Sequence, residues 1–426
     1  MWLSFRVSGS LLLIAAVLCS WNAPGASDKQ RPQADTSSQT SLGKSLPPID
    51  PSGFGDSRHH WLHIRDSSRF IQVQPGQTEY RPEQVREIVT NILLFQRTNG
   101  GWPKDYDMLA ILTPEQRARV VATKERNDTS FDNGNLHSQV SYLAHACAVG
   151  REAAWRDACL RGLDFIFAAQ YANGGIPQRH PNPEGFHAHI TFNDYAMIGC
   201  MNVLKDAAEP AAHFAWLDSA RRERAADAVG RGVDCILKCQ IRVNGKLTGW
   251  CQQHDENTFE PRPGRTFELA SICPQDTVLT LRFLMRLETP SKDVVRAVDS
   301  AAAWLRQAQL SGVRVQRVKS TAVSFERHDA DFDVEVQDDP NASPIWARHY
   351  EIGSNRPIFA GRDGVKRYAL ADIERERRTG TAWYGPWPQK FLEREYPEWR
   401  AKQGKAAWNS RDPASREIPR QKGKMK

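Results

Sequence analysis

No apolar run beyond Leu18 approaches the ~20 residues that a membrane-spanning helix requires, so the body of this chain is expected to be soluble. Histidines and cysteines never fall at zinc-binding spacing. The acidic run from Asp329 to Glu335 lacks the glycine on which an EF-hand loop turns. Signatures of the nucleic-acid-binding folds are missing as well. Cysteine is scarce: of eight, Cys19 lies in the apolar N-terminal stretch, and the odd number left excludes a framework fully paired in disulfides. Cys147, Cys159, Cys200, Cys235 and Cys239 sit in apolar helical contexts as small hydrophobes, while a disulfide stays open for Cys251 and Cys273.

What the chain does have is bulk and positive charge. Its 426 residues are 40% apolar and 25% charged, enough for a large hydrophobic core. Residues 1–27 carry Arg6, an apolar stretch from Leu11 to Leu18 and the small residues Ala23, Gly25, Ala26 and Ser27. That pattern reads as a signal peptide and predicts a secreted or periplasmic protein. Residues 28–58, rich in Ser, Gln, Pro and Asp, read as a disordered linker. The folded domain is expected over 59–405, with a basic flexible tail over 406–426. A net charge of +7 suits an acidic partner, and the leader directs attention from nucleic acid towards an acidic polysaccharide.

One phrase recurs. Gln96 to Pro103 contains Asn99-Gly100-Gly101-Trp102-Pro103, Gln170 to Gln178 contains Asn173-Gly174-Gly175-Ile176-Pro177, and a degraded copy surrounds Asn244-Gly245. Each follows a run of helical apolar periodicity, over 84–96, 154–170 and 224–240, with a fourth such run at 294–310. Between them lie helical runs of a second kind, 137–149, 196–204 and 277–287, each opening just after an aspartate. About three helical hairpins at intervals of about 70 residues, closed by a further outer helix, predict a mainly α fold, an α/α toroid. Long irregular loops rich in Trp, His, Asn and Arg favour a toroid with a cleft over an open solenoid. Alternation beyond Val313 predicts a small β element.

Asp132, Asp194 and Asp276 open the second kind of helix, where aspartate is a common N-cap. Equivalent ends of repeated helices also share one rim, which would gather three carboxylates that repel unless a cation lies among them. Hard oxygen ligands point to calcium. The loop from Tyr350 to Gly364 holds Arg356 and Arg362, with Arg348 just before it; three arginines beside Trp346 and Tyr350 can take carboxylates bidentately.

Taken in succession, the stretches 96–106, 132–143, 173–194, 250–268, 346–364 and 377–399 resemble the pectate lyases of polysaccharide lyase family ten over nearly the whole folded chain. The resemblance implies a toroid of paired helices that cleaves polygalacturonate by calcium-assisted β-elimination with an arginine base. Carried over by position, it implies Asp132 and Asp194 as calcium ligands and Asn133 and Asn193 as substrate-binding neighbours. It further implies Arg362 or Arg356 as the base, Arg348 as the grip on the substrate carboxylate and Arg265 as a further substrate-side residue. It is expected to act as a monomer. The chain departs from the family at Asn135-Leu136-His137, where small residues are usual, which bears on subsite detail. Two other readings use the same cleft: an inverting glycoside hydrolase with Asp132 and Asp194 as its acid and base, and a pectin-binding protein without turnover.

Overall fold

The inner and outer helices are distinguished by how much of each is apolar. Helix α2 (Val85–Phe95) buries one stripe, Val85, Ile88, Val89, Ile92 and Phe95, and so has one partner face. Helix α4 (His137–Gly150) and helix α6 (Ala196–Ala208) are buried nearly all round, which requires neighbours on every side. The outer set continues with α5 (Ala153–Ala169), α7 (Ser219–Cys239) and α9 (Lys292–Gln307), and the inner set with α8 (Pro274–Met285). Side-chain caps start α7, where Asp218 accepts from the Arg221 amide at 2.9 Å, and α9, where Ser291 accepts from the Val294 amide at 3.2 Å. Inner and outer helices pair as α4 with α5, α6 with α7 and α8 with α9; α4, α6 and α8 touch one another in turn. The result is an α/α toroid-type fold.

The computed structural model describes residues 46–209 and 211–403, which lie in one compact unit. The expected signal peptide and tail, and the linker as far as residue 45, lie outside the described residues. The near end of that linker is corrected. Helix α1 (Gly55–His63) is part of the folded body, with Phe54 and Trp61 each only 2% exposed. Sparse apolar residues hid this segment, because a few large ones are enough to anchor it. Helix α3 (Pro114–Ala122), opened by a Thr113/Gln116 capping box, lies outside the helical runs that apolar periodicity marks. The small β element is in fact a long antiparallel hairpin, Val313–Ser324 against Asp329–Asp338, with a register shift between Lys319 and Val323.

The repeated Gln and Asn-Gly have a physical purpose. Gln96 donates through Nε2 to the Gly100 carbonyl at 3.0 Å and to the Ala158 carbonyl, on the next outer helix, at 2.9 Å. Gln170 does the same with Gly174 at 3.0 Å and Ala228 at 2.9 Å. Gln240 bonds Thr248 at 2.8 Å and Ala297 at 3.0 Å. Each amide thus staples its own turn to the following unit. Gly174, at φ 93°, passes so close to that helix that a Cβ would lie 2.0 Å from the Arg231 carbonyl oxygen.

Candidate active site

The segments opening α4 and α6 meet at one rim of the toroid. Asn133, Leu136, Asp194 and Tyr195 all take positive φ, between 52° and 69°, a conformation costly outside glycine and concentrated at functional sites. The Gly134 amide donates to the Asp194 carbonyl at 3.2 Å and ties the two segments together. Asn135 donates to the carbonyls of Trp102 at 2.8 Å and Ser130 at 2.6 Å, holding the first loop down. Neither Asp132 nor Asp194 caps its helix. Leu136 and Tyr195 occupy the N-cap positions without side-chain caps.

Asp132 is buried and Asp194 half-buried, and the two are electrostatically opposed. Asp132 accepts from Gln178 Nε2 at 2.9 Å and from the Lys104 ammonium. Burial works against its charge, but Lys104 and Arg265 outweigh this and hold the carboxyl well below its usual range. Asp194 has only Asn193 Nδ2, at 2.8 Å, and burial together with the Asp132 charge pushes its carboxyl well above 3.8. Asn193 Oδ1 is buried with no partner. Asn133 spends its amide on Asp105, at 2.6 Å. On the flank, His60 of α1 lies 3.6 Å from Asp105 and 3.9 Å from Asp56. Among the described residues no three His, Cys, Asp or Glu side chains surround one metal position. The oxygens of Asp132, Asp194 and Asn193 are the hard donors that a cation could use there, with the rest of its shell supplied from outside the chain.

Arginines form the opposite wall. Arg265 lies in the field of both Asp132 and Asp194; burial opposes its charge, yet Glu268, 2.5 Å away, and the two aspartates raise its affinity for the proton. Its guanidinium sits 5.0 Å over the Phe267 ring, which Arg377 and Arg362 also approach, at 4.5 and 5.6 Å. Glu376 holds the last two, through bonds of 2.6 Å to Arg377 and 2.9 and 3.2 Å to Arg362. Arg348 donates to Gln275 at 3.3 Å and stands in the field of both Asp194 and Asp276.

Asp132, Asp194, Asn133, Asn193, Arg265 and Arg348 are therefore brought together, with Arg362 one ring further out. Arg356 is not: its guanidinium stacks 3.7 Å over Tyr368, away from these contacts. Asp276 also stands apart as a third carboxylate, inside the first turn of α8 and facing Arg348 instead of the aspartate pair. Sequence reading missed Lys104 and Gln178, although the repeat could have found them. Each lies five residues after the asparagine of its copy, Asn99 or Asn173, and both bind Asp132.

A family model described as pectic acid lyase matches residues 96–392, more than half of the chain. Among solved structures, a family 10 polysaccharide lyase from Cellvibrio cellulosa is similar at TM-score 0.62 and 28% identity, over 75% of this chain and 92% of its own. An aspartate-to-alanine mutant of family 10 polysaccharide lyase from the same organism, in complex with trigalacturonic acid, is similar at TM-score 0.61 and 26% identity, over 82% and 98%. No curated protein matches.

Proposed function

The chain belongs to the pectic acid lyase family, and on that footing we propose that this pectate lyase cleaves polygalacturonate outside the cytoplasm by β-elimination, with calcium and an arginine base. The observation that carries the reading is the Asp132/Asp194 pair with the Arg265 guanidinium in its field. Trigalacturonic acid in the related structure and the net charge of +7 support an acidic galacturonide as substrate.

The C5 proton of a galacturonate unit is α to a carboxylate, and its removal requires that the developing enediolate be stabilised. Calcium held by Asp132, Asp194 and Asn193 would supply positive charge to that carboxylate. Arg348 and Arg362 offer guanidinium forks to the carboxylates of bound units. Arg265 is the arginine best placed to take the C5 proton. Its proton is stabilised by Glu268 and by the two aspartates, and engaging the aspartates with a cation withdraws their share of that support and sets a like charge beside the guanidinium. Arg362, the base that the resemblance implies, is bidentate on Glu376, and the charges acting on it come from glutamates and not from the aspartate pair, which suits it to binding. As the proton leaves, the C5–H electron pair forms the C4–C5 double bond, the C4–O bond breaks, and the departing oxygen takes a proton from solvent.

One observation favours a second reading. A depressed Asp132 beside a raised Asp194 is also the division between base and acid of a glycoside hydrolase. Polygalacturonate incubated with and without EDTA separates the two. The lyase reading expects an ultraviolet-absorbing unsaturated product that chelation abolishes and calcium restores; saturated products insensitive to EDTA would replace it with hydrolysis.

A further inference from the structure

We propose that a groove beside the reaction site binds further units of a polyanionic galacturonan chain and makes the enzyme favour long substrates; this rests on the lyase reading above. The groove, about 1070 Å³, runs between α1, the long hairpin and helix α10 (Arg375–Gly380). That is beyond the ~300–1000 Å³ of an ordinary small-ligand site, and fits a run of sugars better than one.

Both walls continue from the reaction site. On α1, His60 faces Asp105, and a file of imidazoles leads away from it: His60 to His59 at 5.9 Å between ring centroids, then His59 to His63 at 5.2 Å. His59 and His63 line the groove. On α10, Arg377 packs on Phe267 at the site, while its neighbours Arg378, Thr379 and Gly380 line the groove. Helices α1 and α10 thus each reach from the reaction site to the groove. Its walls are tied to one another, since the Arg65 amide donates to the Arg327 carbonyl at 2.8 Å and Arg65 pairs with Asp329 at 2.7 Å. The groove is thus built before substrate arrives.

Its charge identifies the occupant. Arg65 and Arg378 are neutralised by Asp329 and Asp333. Two cations are left over. Arg69 spends its donors on carbonyls, at 2.6 Å to Ile64 and 3.0 Å to His60, and Arg317 lies exposed 4.3 Å over Phe332. Neither has a carboxylate partner within ion-pair distance among the described residues. A guanidinium stacked on an aromatic face offers a carboxylate a fork and a sugar ring a flat apolar surface in one place. Repeated uronates carry both features, and a neutral glycan lacks the first.

Chain-length kinetics and binding test this together. For the unaltered protein, kcat/KM is expected to climb about tenfold between trigalacturonate and an octamer and then level off, the size of one charge-assisted contact. Arg317→Glu is expected to remove that gain while leaving the trimer rate unchanged, and Arg317→Lys to restore most of it. Calorimetric binding of the octamer against the trimer needs no turnover. An octamer bound no more tightly than the trimer, or an Arg317→Glu loss equal on both, would overturn the groove. Absence of unsaturated product from every substrate would instead sink the lyase reading, and tighter octamer binding that Arg317→Glu abolishes would still support the groove.

Discussion

Arg265, Arg356 and Arg362 are told apart by their partners. Arg265 lies against the aspartate pair, Arg362 is committed to Glu376, and Arg356 rests on Tyr368. A base must give up its proton readily, and of the three only Arg265 draws part of its anionic support from the aspartates, a part that is withdrawn when they are engaged elsewhere, while Glu268 stays in place. Arg265→Ala is therefore expected to lower kcat by roughly 10³-fold, within the ~10²–10⁴ that a positioned base contributes, with the fold intact. Arg356→Ala is expected to stay within about twofold of the unaltered protein, and Arg362→Ala to act mainly through KM. Initial rates of unsaturated product formation check all three. A kcat collapse in Arg362→Ala with Arg265→Ala spared would return the base to the loop. None of this ranking was legible in the sequence, because Asp132 and Asp194 lie far from Arg265, and Phe267 far from Arg362, along the chain although near in space.

At the scale of the element, the recurring glutamine is the feature most fully explained. Its amide satisfies two buried carbonyls, one in its own turn and one on the next outer helix, so a local motif carries a long-range contact. Gln170→Leu keeps the volume but leaves the Gly174 carbonyl without its donor and takes from the Ala228 carbonyl, inside α7, its second bond, and at ~1–3 kcal/mol for an unsatisfied group it is expected to cost about 1–3 kcal/mol in urea unfolding. Gln240→Leu loses the equivalent pair of bonds but also removes a buried Oε1 that has no partner, whereas Gln170 Oε1 accepts from Arg231, so Gln240→Leu is expected to cost less. A cost under ~1 kcal/mol at both positions would mean that the carbonyls find other partners. Helices were legible here because apolar period and the Asn-Gly stop agree, as over 84–96 and 154–170. Helix α1 was not, since its burial depends on where Phe54 and Trp61 land and not on any period.

Across the whole molecule, a regular scaffold holds an irregular and electrostatically unfavourable rim. The repeat made the scaffold and the position of Asp132 and Asp194 readable, whereas the separation of Asp276 from them followed from three-dimensional placement alone. That separation has a consequence for stability. Burial pushes Asp276 from 3.8 up to about 6, with Arg348 only partly opposing it, and its Oδ2 has no partner. In the unfolded chain the same carboxyl ionises near its ordinary value. Between about pH 4 and 6 the native state therefore holds more protons than the unfolded one, and stability falls as pH rises through that window. Above it the penalty is complete, at most ~3 kcal/mol. Asp276→Asn removes the charge and keeps the shape, so it is expected to stabilise the protein against denaturant at pH 8 by about 1–3 kcal/mol and to give no gain below pH 4, where the native acid is already neutral. Denaturant unfolding of both proteins at the two pH values, after dialysis against chelator, checks this. An equal effect at both would assign the change to packing around α8 in place of charge.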